Sequence, residues 1–279
     1  MAEGIGASVR RIEDKRFLTG KGRYTDDINR PGQVYAHFVR SDIAHANIKS
    51  IKTESAKSSP GVVAVFTGED VAADSIGGPI CGWVVPCRDG SATKEPPHPL
   101  LAQGKVRFVG DAVAVVLAET IDQAKSGSEL VEVDYEELKP VVDFENASSS
   151  PQIHEEVPDN CYFDWELGDK SATEKAIGDA ERVVKLKVRN NRTIPNAMEP
   201  RSALAEYDDL SDSYTLYTSS QNPHLTRLVI AAFMFSIPES KLRVVAPDVG
   251  GGFGSKIYVY IEEAVCTWAS KKIKRPVKW

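Results

Sequence analysis

Cysteine, methionine and histidine are scarce in this chain, at four, three and five among 279 residues. The cysteines, Cys81, Cys87, Cys161 and Cys266, form no C-x-x-C pair and no Cys/His zinc spacing, which excludes a zinc finger or ribbon. They read as reduced, mostly structural residues of a cytoplasmic protein, with a Cys81–Cys87 disulfide left open. No apolar run approaches the roughly 18–20 residues of a membrane span. The opening MAEGIGASVRRIEDKRF has no apolar core, so no secretory signal is visible. Positive charge is also lacking: 34 Lys and Arg face 40 Asp and Glu, a net charge of −6. That argues against a broad nucleic-acid footprint. The one basic run, KKIKRPVK near the C-terminus, reads as a solvated helix end and loop. A G-x-S-x-G elbow and an H-E-x-x-H zinc helix are absent too.

What remains is ordinary globular composition, 42% hydrophobic and 27% charged, at a length that suggests two domains. Residues 1–23 read as an extended arm and 24–145 as a compact α+β domain. QVYAHFVRS alternates like a strand, and KVRFVGDAVAVVLAE reads as two strands with a turn at Gly110-Asp111. Thr120, with Gln123 three residues on, has the capping-box spacing of a helix start. Ile76 to Pro99 reads as a long loop. The Ser/Pro-rich stretch Asn146–Asn160 marks a linker, placed at 146–164. In the second domain, 165–279, a helix is expected around Ala172–Ile177 and a strand over Glu181–Arg192. Strands are also expected at SALAEYDD, YTLYTSS and LRVVAPDV. Asn222-Pro223 is set to open a helix, Asn as N-cap and Pro at N1, with Leu225, Leu228, Val229, Ala232 and Phe233 on one face. The last residues, Lys274 to Trp279, begin another strand. This is expected to leave a sheet short of partners, as in a truncated gene product, a split subunit or a fragment.

Three stretches carry candidate chemistry. In VAPDVGGGFGSKIYVYIEEAV, four of the five residues from Gly250 to Gly254 are glycine and the fifth is Phe253. Glycine lets a ligand close on the backbone, and N–H groups at a helix mouth favour anions. The alternative is a tight strand–helix turn with Phe253 plugging the core. A phosphate loop fails because Ser255 precedes Lys256, and a dinucleotide fingerprint fails at Ser255 and Ile257. Next, Gln221 in TSSQNPH offers a donor and an acceptor without charge, suited to an oxo or carbonyl group. Capping is its other reading. Third, Glu199 and Arg201 flank Pro200 and read first as a surface ion pair. His224 reads as packed or solvated, and at least one of Glu262 and Glu263 is expected at the solvent.

Taken in order, seven stretches resemble the molybdenum-binding large subunit of the xanthine oxidase family, in particular its carbon monoxide dehydrogenase-like branch. Val9–Asp27, VRRIEDKRFLTGKGRYTDD, resembles the family's opening arm. SDIAHANI, PGVVAVFTGED and VRFVGDAVAV resemble its α/β hammerhead domain, while MEPR, TSSQNPH and DVGGGFGSK resemble the start of its molybdopterin-binding α/β domain. The resemblance implies an oxidoreductase that hydroxylates or oxidises its substrate. It implies a molybdopterin cofactor, with the cytosine dinucleotide as a candidate form, and FAD and 2Fe–2S clusters on a medium and a small partner subunit. Gln221 would approach an oxo ligand of molybdenum, and Gly251, Gly252, Phe253 and Gly254 would face the cofactor. Phe253, with Glu199 and Arg201 more weakly, would shape the substrate side. By the same resemblance, none of these residues would bind the metal directly. The family's glutamate general base, its substrate-selecting loop and most cofactor contacts are expected beyond Trp279, so this chain alone would not turn over. A non-catalytic binding or assembly module that keeps the fold is the alternative. Neither the sequence nor the resemblance selects a substrate among CO, aldehydes, purines and other heterocycles.

Overall fold

The computed structural model describes residues 4–279. Ten strands run in chain order: β1 Val34–Arg40, β2 Ala46–Lys52, β3 Val62–Thr67, β4 Lys105–Val106, β5 Ala112–Ala118, β6 Glu132–Glu137, β7 Ala203–Asp208, β8 Ser213–Thr218, β9 Leu242–Val245 and β10 Val277–Lys278. The helices are α1 Asp14–Leu18, α2 Glu54–Lys57, α3 Gly68–Ala73, α4 Ile121–Ser128, α5 Lys170–Gly178, α6 Pro223–Leu228 and α7 Ile261–Ile273. None is long and apolar enough to cross a membrane.

The strands form a seven-stranded sheet, β3-β5-β1-β10-β7-β8-β9, and a three-stranded sheet, β4-β2-β6. All seven residues of β5 are buried, as a continuous apolar run without alternation requires. β1 lies antiparallel to it with Phe38 opposite Val115. The last strand, β10, sits mid-sheet: Val277 pairs with Val34 of β1 on one side and Ala205 of β7 on the other. Strands from both halves of the chain thus share one sheet, and the last residues, expected to begin a strand of a sheet short of partners, form its seam. Lys278 there is buried and donates to Asp26 O (2.6 Å) and Asn29 Oδ1 (3.0 Å), so the basic run is not wholly solvated.

Helix α7 covers β7 and ties the halves together. Trp268 meets Phe66 edge-on at 4.9 Å, and its Nε1 donates to Asp74 Oδ2 at 2.7 Å. At the helix end, Arg275 forms a two-pronged pair with Glu119 at 2.8 and 2.7 Å. At its start Glu262 accepts from Arg40 of β1. The expectation that one of Glu262 and Glu263 is solvated fails: they are 4% and 6% exposed.

Other expectations are met or corrected locally. Thr120 caps α4, accepting from Gln123 N at 3.2 Å. Glu181–Arg192 forms no strand, and Val184, Leu186 and Val188 are exposed. Alternation makes a strand only where another chain segment takes its backbone groups, and none among the described residues pairs with this backbone, although Lys187 reaches Glu145 and Arg189 lies over Phe144. α6 runs on into a π-helical turn, Val229–Met234, which changes the buried face. Val229, Ile230, Ala231 and Met234 are buried while Leu225, Leu228 and Phe233 reach the surface. Asn222 provides no side-chain cap. The polar stretch after β6 is folded into short 3-10 turns held by Asn160, whose Nδ2 donates to Ala147 O at 2.8 Å. All four cysteines are free, and only Cys266 is buried.

Candidate functional site

β8 and β9 are parallel neighbours, so their carboxyl ends open side by side at one edge of the sheet. Ser219, Ser220 and Gln221 follow β8, and the glycine loop follows β9. Such an edge is where open α/β sheets place ligands. The loop's approach is fixed by the arm. Asp248 N donates to Arg23 O (3.1 Å), Arg23 N donates to Asp248 Oδ2 (2.7 Å), and Arg16 pairs with the same carboxylate. The Arg16 guanidinium and the Arg23 N–H hold the Asp248 carboxyl below its usual range.

Glycine is required here by space and by backbone. A Cβ on Gly250 would lie 2.5 Å from Glu199 Cβ, and one on Gly252 only 2.3 Å from Gln221 Oε1. Gly251 and Gly254 have φ of +102° and +87°, where a side chain is strained. Phe253 itself sits at φ +51° and is 72% exposed, so it does not plug the core. Helix α7 begins only at Ile261, after a series of turns. The glycines therefore do not form its N-terminus, and any attraction for a ligand comes from the loop's own N–H groups. The Gly250 N–H donates to Glu199 Oε2 (2.7 Å) and the Gly254 N–H to Gln221 Oε1 (2.9 Å). Between them, the N–H groups of Gly251, Gly252 and Phe253 donate to no acceptor among the described residues. Gly252 is buried, and buried N–H groups in folded proteins are nearly always paired.

Gln221 lies against this row. Its Oε1 accepts from Gly254 N and from Lys256 N (3.3 Å), and its own N–H donates to Lys256 O (2.9 Å). Two backbone donors on one amide oxygen fix its orientation and turn the NH2 group outward. Glu199 does not pair with Arg201. Its Oε2 takes Lys256 Nζ at 3.0 Å and Ser219 Oγ at 2.6 Å, and its Oε1 is buried without a partner. Arg201 stacks on Tyr260 instead, 3.2 Å from the ring centroid. Sequence reasoning missed Lys256, the buried partner that joins these stretches; its neighbour Ser255, which defeats a phosphate-loop reading, was the only local signal. His224 is exposed. Burial pushes the Glu263 carboxyl up, against the Thr218 hydroxyl and Tyr260 N–H that favour its charged form. No group of three or more His, Cys, Asp or Glu among the described residues could hold a metal ion. A ligand here would meet a row of backbone donors, one amide NH2 and an exposed aromatic ring, with no free carboxylate beside them.

Two family profiles match the chain. The molybdopterin cofactor-binding domain matches residues 153–279, and the a/b hammerhead domain of aldehyde oxidase and xanthine dehydrogenase matches residues 19–139. The chain belongs to the molybdenum-binding large subunits of the xanthine oxidase family. The carbon monoxide dehydrogenase large chain of Afipia carboxidovorans is 37% identical over 99% of this chain and 34% of its own length. The nicotine 6-hydroxylase large subunit of Paenarthrobacter nicotinovorans is also 37% identical, over 99% of this chain and 33% of its own. Among solved structures, a Cu,Mo-CO dehydrogenase superposes with a TM-score of 0.85 at 36% identity, covering 99% of this chain and 35% of that one. Quinoline 2-oxidoreductase from Pseudomonas putida 86 gives 0.84 at 35% identity, covering 99% of this chain and 34% of that one. The chain thus spans about a third of the length of these relatives. The hammerhead match precedes the molybdopterin-binding match in this chain.

Proposed function

We propose that this chain supplies one wall of the cofactor site of a molybdenum hydroxylase large subunit, and that turnover requires the remainder of that subunit. The carrying observation is the row of three N–H groups, Gly251 to Phe253, without acceptors among the described residues, beside an amide whose Oε1 is held by two backbone donors and whose NH2 donates to none of those residues. Those groups suit the oxo and pterin heteroatoms of a molybdopterin cofactor, and the absence of Cβ atoms at Gly251, Gly252 and Gly254 admits its close approach. When bound, the cofactor supplies two-electron oxidation of the substrate. Gln221 would hold the cofactor with a hydrogen bond from Nε2, and Phe253 would give an apolar face on the substrate side. Glu199 and Arg201 support that pocket from behind, since one is turned inward against Lys256 and the other lies on Tyr260.

Among the described residues, the carboxylates near the loop are engaged elsewhere: Glu199 by Lys256, Ser219 and Gly250, Glu262 by Arg40 and Glu263 by Thr218 and Tyr260. Glu199 is saturated at Oε2 and enclosed at Oε1, while Glu262 and Glu263 are buried. A glutamate from the remaining part of the subunit would take the role of general base. The cofactor would be the molybdopterin cytosine dinucleotide form, a small and a medium partner subunit would bring 2Fe–2S clusters and FAD as electron acceptors, and the assembly would work in the cytoplasm. The test is affinity purification from the native host, with visible spectra, mass spectrometry and turnover against an artificial electron acceptor. Flavin and iron–sulfur absorbance with a polypeptide carrying the remaining two-thirds of the subunit, active together, supports the reading. Turnover by the reconstituted 279-residue chain alone refutes it.

A further inference from the structure

We propose that Lys256 is the positioning residue of this site: its buried ammonium holds the three sequence stretches of the cofactor wall in one arrangement. The inference rests on the reading above for its purpose, and on geometry alone for its existence. Lys256 is 2% exposed. An ammonium has three protons, and here each finds an acceptor: Glu199 O at 2.8 Å, Glu199 Oε2 at 3.0 Å and Ser219 Oγ at 2.7 Å. Glu199 Oε2 also takes Ser219 Oγ and the Gly250 N–H. The backbone of the same lysine holds Gln221 from both sides, as donor to Oε1 and as acceptor from its N–H. One residue therefore joins the MEPR stretch, the end of β8 and both ends of the glycine loop.

A buried ion pair is a poor way to stabilise a fold, because well-packed apolar side chains of similar volume do as well or better. Its use here is geometric. Glu199 Oε2 fixes where the loop begins, at Gly250, and Gln221 Oε1 fixes where it ends, at Gly254. The three free N–H groups lie between these points. Lysine suits the task because it is a compact charge with three rotatable donors, whereas the planar fork of arginine cannot reach the same three acceptors in this enclosure.

Hydrogen exchange on the full chain, with and without cofactor, reads this arrangement directly. Lys256→Met should speed exchange over 219–221 and 250–256 by at least about tenfold, the loss of a charged hydrogen bond, with β1 and β5 within about twofold of wild type. Lys256→Arg should behave like Lys256→Met. The double variant Lys256→Met/Glu199→Leu should recover thermal stability and leave the loop fast. Unchanged loop exchange in Lys256→Met overturns the proposal. So does rescue by arginine, or the same loop pattern in the sheet-core variant Val115→Ala. Should Lys256→Met fail to fold, Ser219→Ala keeps both charges and carries the test: faster exchange around Gly250 supports the proposal and none overturns it. These readouts need no molybdenum, so a wild-type chain without metal would count against the functional reading and leave this inference intact.

Discussion

Gly252→Ala perturbs the site at a single atom. The added Cβ would sit 2.3 Å from Gln221 Oε1, 2.5 Å from Cδ and 2.6 Å from Cγ, well inside contact distance. Gln221 is exposed, so it can swing toward water rather than deform the sheet. In doing so it gives up two hydrogen bonds, from Gly254 N at 2.9 Å and Lys256 N at 3.3 Å. At roughly 0.5–1.5 kcal/mol each, the loss is about 1–3 kcal/mol. For a chain of this size that lowers the melting temperature by roughly 3–8 °C in scanning calorimetry. Gly82→Ala, whose Cβ would meet nothing within 4 Å, serves as control and should leave the transition in place. Cofactor retention should suffer more than stability, because the displaced amide no longer faces the N–H row. Molybdenum per chain should fall by about tenfold, the effect of about 1.4 kcal/mol. A Gly252→Ala protein with the wild-type transition and wild-type molybdenum content would refute the packing of Gln221 against the loop.

Three further outcomes follow from the fold. Burial raises the Glu263 carboxyl above its ordinary 4.5, so the folded chain holds a proton that the unfolded chain releases earlier. Its contribution is present below 4.5 and is lost as pH rises through the raised value; denaturant midpoints of Glu263→Gln across pH should lack that decline, and a parallel decline would contradict it. Trp268→Phe keeps the ring against Phe66 but removes the bond to Asp74, and should cost about 1–2 kcal/mol in urea unfolding. Deleting Val277–Trp279 removes the seam between β1 and β7, including both backbone bonds between Ala203 and Trp279. That variant should bind a hydrophobic dye and lose cooperative melting, and a sharp wild-type-like transition would show that the sheet order is wrong.

Much of the fold is legible because the signals are local. β1 and β5 announce themselves by apolar pattern, α4 by its Thr120 cap, and the β7–β8 turn by its polar residues. The Glu181–Arg192 alternation is equally clear and yet forms no strand, because pairing depends on a neighbour and not on the segment itself. The same distinction governs the site. Gln221 and the glycines stand out as residue types in a suggestive order. What binds them does not: Lys256 reaches Glu199 across 57 positions, and Arg40 reaches Glu262 across 222. Those distant partners turn Glu199 away from the surface pair expected with Arg201 and help bury Glu262, one of two carboxylates of which at least one is expected at the solvent. The π-helical turn after α6, which redirects a predicted apolar face, has no local marker in the sequence.

The most direct test of the account is the molybdenum content of the protein purified from its native host, measured by elemental analysis against chain concentration. The account predicts about one molybdenum per assembled large subunit, with about a tenfold fall in Gly252→Ala. A correctly folded protein, assembled with its remaining two-thirds yet free of molybdenum and pterin, would contradict it.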